Sequence, residues 1–561
     1  MGHAVRVRSR SADRAIRRRG IGLRESRRNQ SGLVHYVVSC SRLCEPRRRR
    51  EGKGRQGRDT SNRARVHDRP GARQTLLGRA RVPEDGGGHL VCRAAQGRNS
   101  RTMTASAPSG GPMENQRADI MTKTAARAIS RTLVSAAGII WSAFAFADDS
   151  PTTPRPIVLR AAHLFDSVSG KLVDHGVVVV AGSRIQAVGS EARIPVDAVR
   201  IDLGDATLMP GFIDAHVHLS QVLSGNWYAD FYNGILRFPA EQALYGAHYA
   251  KLTLEAGVTT VRDLASSDYI SLGLRNAINA GMIPGPRMLV ANYAIGSTGG
   301  HADQDPYPPQ RIAPADPIKG VCNGPDECRA AVRYQIKYGA DLIKFMPSGG
   351  VLSLSDPVDN PQLTQEEMNA IVSEAHAWNR KVAAHCHGDR AAKMAIAAGV
   401  DSIEHGTFLQ DDTLLEMKAR HVVLVPTLFT GDWMSDKVDQ LPPVVAAKAR
   451  AAMSHQQQMF QHAVKLGVPI AMGTDAGVEP HGMNAREFVL MAGNGLTPAQ
   501  ALMAGTANGA ELLGIADQVG TLQPGKLADI VAVAGNPIVD IKATQHPVFV
   551  MKEGVIYVGG K

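Results

Sequence analysis

The stretch Pro210-Gly211-Phe212-Ile213-Asp214-Ala215-His216-Val217-His218 decides how the chain is read. An apolar run closes on two histidines two apart; on a strand such residues point to one face, where both imidazoles can grip a single metal ion. Four more metal-binding side chains, Lys344, His385, His405 and Asp475, recur downstream at or near the ends of short apolar runs. The pattern predicts one site assembled from many strands.

Strand-like runs fall at 212–218, 258–264, 287–293, 341–346, 382–387, 402–405, 422–428 and 469–475, with helix-like stretches between them. One such helix, 366–380, has Thr364 and Glu367 in capping-box spacing. Eight strand-helix repeats predict a parallel (β/α)8 barrel over 208–519, with the active site at the strands' C-terminal ends, where the candidate ligands sit. A lone histidine in an apolar strand is usually a satisfied core residue. Several at the same end of different strands point instead to a shared metal site. The flanking stretches, 156–207 and 520–561, read as short strands separated by turn residues and are expected to pair as a small β-sandwich.

The net charge of +11 hides an asymmetry. Residues 1–120 carry 27 Arg and 1 Lys against 10 acidic residues, so the body from residue 148 onward is acidic. Such a leader suits phosphate binding, but it has no aromatic interleaving and cannot pack a core, so it reads as disordered or as a mis-set start. From Met121 the chain looks like an export signal: Lys123, Arg127 and Arg131, then an apolar stretch too short for a membrane span, then Ala145-Phe146-Ala147. This predicts cleavage after Ala147 and a periplasmic or secreted protein, with no nucleic-acid partner for the mature chain. Cys322 and Cys328 are close enough for a loop disulfide, two free thiols being the alternative; Cys386 reads as a buried filler.

The order of these residues resembles the amidohydrolase superfamily over about 156–561. The resemblance is carried by 210–218, Asp341-Leu342-Ile343-Lys344, His385-Cys386-His387-Gly388, Ile403-Glu404-His405-Gly406-Thr407, Gly473-Thr474-Asp475-Ala476-Gly477 and the C-terminal 520–529. It implies a binuclear site: one metal on His216, His218 and Asp475, the other on His385 and His405. Lys344 would bridge them as N6-carboxylysine. Zinc suits these ligands, and manganese or cobalt also fits. The implied chemistry is attack of a metal-bridging hydroxide on an amide, with Asp475 passing the proton to the departing amine.

Within the superfamily the chain looks most like the branch of Xaa-Pro dipeptidases, Arg/Lys-specific dipeptidases and ochratoxinase-like enzymes, often labelled imidazolonepropionase-like. In the loop Ser297-Thr298-Gly299-Gly300-His301-Ala302-Asp303 the resemblance assigns His301 to the scissile carbonyl oxygen; a plain loop histidine is the alternative. His387 stands where dipeptidase relatives carry a carboxylate-contacting tyrosine and ochratoxinase-like members a histidine. The expected activity is hydrolysis of dipeptides or N-acyl amino acids, falling below about pH 6 as imidazoles protonate. Rivals are a cyclic-amide or imidazolone hydrolase, a single-metal deaminase, and a nucleic-acid-binding protein built on the leader. Tyr228, Tyr232, Tyr293 and Phe429 are candidate pocket walls, though ordinary packing suits each. Side-chain preference and oligomeric state, homo-oligomer included, are not legible.

Overall fold

The computed structural model describes residues 23–26, 35–38, 155–189, 192–303 and 307–559. The chain divides into two compact units, 1–122 and 123–561. In the first, β1 (Leu23–Ser26) pairs antiparallel with β2 (His35–Val38). The rest of the leader, the export signal and its cleavage point lie outside the described residues. Among the described residues no helix is long and apolar enough to cross a membrane.

The second unit opens with β3 (Ile157–Asp166), β4 (Lys171–Ala181), β5 (Arg184–Val188), β6 (Val199–Asp202) and β7 (Ala206–Pro210), and closes with β15 (Ile530–Ala534), β16 (Pro547–Lys552) and β17 (Val555–Val558). They form one eight-stranded sheet in the order β17-β16-β15-β7-β3-β4-β5, with β6 beside β3. Antiparallel pairing of β7 with β15, Leu208 opposite Ala532, joins the two ends of the body. Pleating sends alternate residues to opposite faces. Leu208, Ile530 and Phe549 enter a core with Leu159, Val178 and Ile185. Their neighbours Met209, Val531 and Val550 enter the large core of the central segment. Each fully buried side chain of this size contributes roughly 1.5–3 kcal/mol.

The central segment is parallel. Strands β8 (Phe212–Val217), β9 (Val258–Asp263) and β10 (Arg287–Val290) form one sheet, and β11 (Ile343–Phe345), β12 (Val382–Cys386), β13 (Ser402–His405) and β14 (Val423–Val425) another. Isolated parallel bridges connect them: Ile295 to Phe345, Leu424 to Ile470 and Ala476 to Val217. Helices follow the strands, among them Gln365–Ala377, whose Thr364 and Glu367 make the capping box reciprocally.

The eighth expected strand, 469–475, is extended but does not form a ladder. Its Met472 carbonyl accepts from Ala215 N–H, and the Asp475 N–H donates to His216 O. Between them the Thr474 N–H donates instead to the Asp214 carboxylate, and Asp475 turns to φ 73°. A side chain has replaced one rung. The other strands end from zero to three residues before the expected limits, and the Leu219 N–H beyond β8 is held by Asp263 Oδ2 at 2.8 Å. Cys322 and Cys328 are disulfide-bonded, and Cys386 is buried and free.

Candidate metal centre

The spacing of His216 and His218 does what period two demands. Both rings reach Asp475, with Nε2 at 3.3 Å and 3.1 Å from its Oδ1. Each ring's other nitrogen is committed. His216 Nδ1 lies 2.9 Å from Glu404 Oε2 and His218 Nδ1 lies 3.1 Å from Ala265 O, both acceptors, so each Nδ1 donates its proton and each neutral ring leaves Nε2 bare.

A second group lies beside the first. His385 Nδ1 is 2.9 Å from His405 Nε2, and the His387 ring stacks on His405 at 4.8 Å. His385 Nε2 faces Gly349 O at 3.3 Å, an obligate acceptor, which again leaves the inward nitrogen bare. His405 Nδ1 is held by Thr427 and His387 Nδ1 by Thr407, both at 2.8 Å. The two groups, His216/His218/Asp475 and His385/His387/His405, each bring ligand atoms close enough for one ion, and the His216 and His405 rings are 5.0 Å apart. Bare nitrogens and a carboxylate oxygen aimed at one another repel unless a cation stands among them. The donor set therefore fits a metal on each side, and the acceptors behind His216, His218 and His385 fix the tautomers of those three rings as metal sites require.

Lys344 is 1 % exposed, on β11 between the groups. Its charge acts on His216, His385, His387, His405 and Asp475. Among the described residues no hydrogen bond or ion pair holds its Nζ. Burial pulls its pKa down to about 8, against the opposing fields of Glu404 and Asp475. A lysine in this state is readily a neutral amine.

Burial dominates the imidazoles as well. His216 is lowered to about 4 by burial and then by Lys344, and His387 to about 3 by burial. His385 and His405 fall well below their ordinary value for the same reason. His218 goes the other way: burial lowers it, but the hydrogen bond and charge of Asp475 outweigh that and raise it.

Sequence reasoning missed the layer beneath. Glu404, wholly buried, joins His216 to Arg262, whose guanidinium donates to Glu404 Oε1 at 2.7 Å, to Ser402 Oγ at 3.1 Å and to Ala215 O at 2.5 Å. Burial would raise the Glu404 pKa; Arg262 and His216 overcome it and bring it to about 2. A charged residue inside an apolar run, as Arg262 is in 258–264, was the available signal. Asp214 ties the first strand to the last by accepting from Thr474 Oγ1 at 2.7 Å and Asn484 Nδ2 at 2.8 Å. His405 at φ 67° breaks strict alternation, which brings its ring to the site although its neighbour Glu404 also faces inward.

His301 lies against the second group, its ring 4.5 Å from that of His385 and flat on Gly350, where any Cβ would collide with it. Cys386 is buried, and burial pushes its thiol pKa up, so it is no nucleophile. Tyr228 and Tyr232 are exposed, Tyr293 donates to Asp268, and Phe429 is core.

The chain matches the amidohydrolase family profile over residues 207–559. It is 33% identical to ochratoxinase from Aspergillus niger over 429 residues, covering 73% of this chain and 87% of that protein. A crystal structure of a Xaa-Pro dipeptidase with bound methionine in the active site superposes with TM-score 0.69 at 38% identity, over 72% of this chain and 100% of that one. A prolidase complexed with N-methylphosphonate-L-proline gives 0.66 at 31%, over 72% and 99%. The chain belongs to the amidohydrolase family. It is an enzyme, a hydrolase acting on amide bonds.

Proposed function

We propose that the protein is a binuclear-zinc amidohydrolase that cleaves the amide bond of dipeptides or N-acyl amino acids. The observation that carries this reading is the convergence of bare imidazole nitrogens and the Asp475 carboxylate around a buried Lys344 that has no hydrogen-bond partner among the described residues. His216, His218 and Asp475 would hold one ion, and His385 and His405 the other, with His387 beside it. The neutral Lys344 amine would add carbon dioxide, lose a proton and present two carbamate oxygens between them. Bound metal ions would supply an activated water and polarise the substrate carbonyl.

The chain's own groups do the rest. Asp475 Oδ1 faces both imidazoles, which leaves Oδ2 to take a proton and return it to the departing amine nitrogen. Glu404, anchored by Arg262, holds His216 in its ligating tautomer. His301 and His387 face the substrate from the second group, His301 hydrogen-bonding the scissile carbonyl oxygen. The names of the relatives, ochratoxinase, Xaa-Pro dipeptidase and prolidase, support a substrate with an amino acid on one side of the bond. Two ligand groups rather than one weigh against the single-metal deaminase. The parallel bridges between the central sheets support a closed (β/α)8 barrel, and the inner core of the terminal sheet supports the β-sandwich. The acidic body and the signal-like 121–147 support a periplasmic or secreted, small-molecule enzyme.

Metal-stripped protein is expected to bind close to two zinc ions per chain and to regain hydrolysis of a dipeptide and N-acyl amino acid panel. Lys344→Ala is expected to cut turnover by about two orders of magnitude or more. Full activity in excess chelator, or a wild-type rate for Lys344→Ala, would count against the reading.

A further inference from the structure

The chain between β11 and the helix Gln365–Ala377 crosses the end of β12. Ser348 Oγ accepts the His387 backbone N–H at 2.9 Å, and a Cβ on Gly388 would collide with Asp359 O. In the same crossing the Gly349 carbonyl faces His385 Nε2 at 3.3 Å. Residues 349–360 contain no helix or strand, so no ladder holds that carbonyl where it is. Two glycines flank the peptide bond that carries it, and space demands both. A Cβ on Gly349 would collide with Pro357 O and come within 2.7 Å of Asp356 Oδ2, and one on Gly350 would enter the His301 ring. A Gly-Gly peptide swings easily, which would carry the carbonyl away from the imidazole.

A buried charge pair holds this peptide. Asp356 Oδ2 accepts the Gly350 N–H at 2.9 Å, and that N–H shares a peptide plane with the Gly349 carbonyl. In a planar trans peptide the two point in opposite directions, so seating one aims the other. Oδ2 also takes Gln362 Nε2 at 2.7 Å, and Oδ1 the Ser353 hydroxyl. Lys448, on the helix Pro443–Leu466, stands 3.7 Å from Oδ1. Its three ammonium protons go to the carbonyls of Gly350 and Ser353 at 2.7 Å and of Asp356 at 3.0 Å. The Lys448 and Asp356 side chains are only 11% and 3% exposed, and charges this dry persist only as partners. Val445 and Ala449, on the same helix face as Lys448, share an apolar cluster with Val351 and Leu354 of the loop.

We propose that Asp356, with Lys448 on the next carbonyl, is a positioning residue for the second metal side: it locks the Gly349–Gly350 peptide so that the Gly349 carbonyl keeps the His385 proton on Nε2 and leaves Nδ1 bare for metal. Outer partners of this kind are commonly worth 10- to 100-fold in metal affinity. Only one side should feel the loss, because His216 and His218 lean on Glu404 and Ala265 O instead.

The proposal rests on the binuclear reading of the site, so the tests separate the two. Metal-free full-length protein is titrated with zinc at pH 8 in two backgrounds, His218→Ala to read the His385/His405 side and His405→Ala to read the other. Asp356→Ala is expected to weaken zinc roughly tenfold or more in the first background and less than about twofold in the second. Asp356→Asn keeps an oxygen for the Gly350 N–H and is expected to restore most of the affinity. Equal weakening of both sides, weakening of neither, or an asparagine variant as weak as the alanine one overturns the proposal. A further measurement needs no clasp variant. In metal-free wild-type protein labelled with 15N-histidine, NMR should show His385, identified by the resonances missing in His385→Gln, as the Nε2–H tautomer; Nδ1–H or a mixture overturns the lock. Wild-type protein that takes up fewer than two zinc ions counts against the binuclear reading and not against the lock, which the NMR result then decides.

Discussion

His218 and His216 are neighbours in sequence and chemically unlike. Asp475 raises the pKa of His218, so in metal-free protein that ring holds a proton above its ordinary value, while His216, His385, His387 and His405 remain neutral far into acid. Metal and proton compete for His218 Nε2. As pH falls through the raised pKa, the His216/His218/Asp475 side should lose about one decade of metal affinity per pH unit, and the His385/His405 side should not. Zinc titration of metal-free protein, followed by calorimetry at pH 6 and pH 8, is expected to show two comparable sites at pH 8 and one weakened site at pH 6. Equal weakening of both would refute the asymmetry. Ordinary imidazole values predict one shared loss below about pH 6; burial, which a linear sequence does not report, splits the ligands into two classes. The clustering of the candidate ligands was legible because strand period and metal chemistry both mark them. Glu404 was not: it precedes a candidate ligand, and only the folded chain shows that Arg262 offsets the cost of burying it.

At the scale of elements, the segment 469–475 shows why eight apolar runs gave seven strands. The run is apolar and extended, as its composition implies. Its hydrogen bonds are shared with Asp214, whose partners, Thr474 and Asn484, lie about 260 positions away and leave no local trace. Gly473 lies where this segment passes closest to β8. A Cβ there would strike the Val425 side chain and come within 2.9 Å of His216 Cβ. Gly473→Ala is therefore expected to displace β8 or β14, lowering stability by about 1–3 kcal/mol and zinc content together. Chemical denaturation and metal analysis of the purified variant check this; a variant with wild-type stability and zinc content would show that the strands yield without cost.

For the molecule as a whole, charge divides the chain into a basic leader and an acidic body. The body from 155 onward contains the family match, the candidate site and the sheet that joins its ends. Native protein is expected to begin at Asp148, and a chain starting there should match the full-length protein in zinc content and specific activity; N-terminal sequencing and side-by-side assay decide it. A native N-terminus upstream of Asp148 would remove the export reading. Pairing of the first and last thirds was foreseeable only in outline, since turn-punctuated strands announce a sheet but not which edge meets which.

The pairing of β7 with β15 also sets a schedule for folding. Leu208 cannot be covered from that side until Ala532 has been made, and more than three hundred residues of central segment must be spanned before the two edges meet. Contacts this distant form late. The terminal sheet thus acts as a clasp that shuts only after the whole central segment has been made, keeping the chain threadable until β15 is in hand.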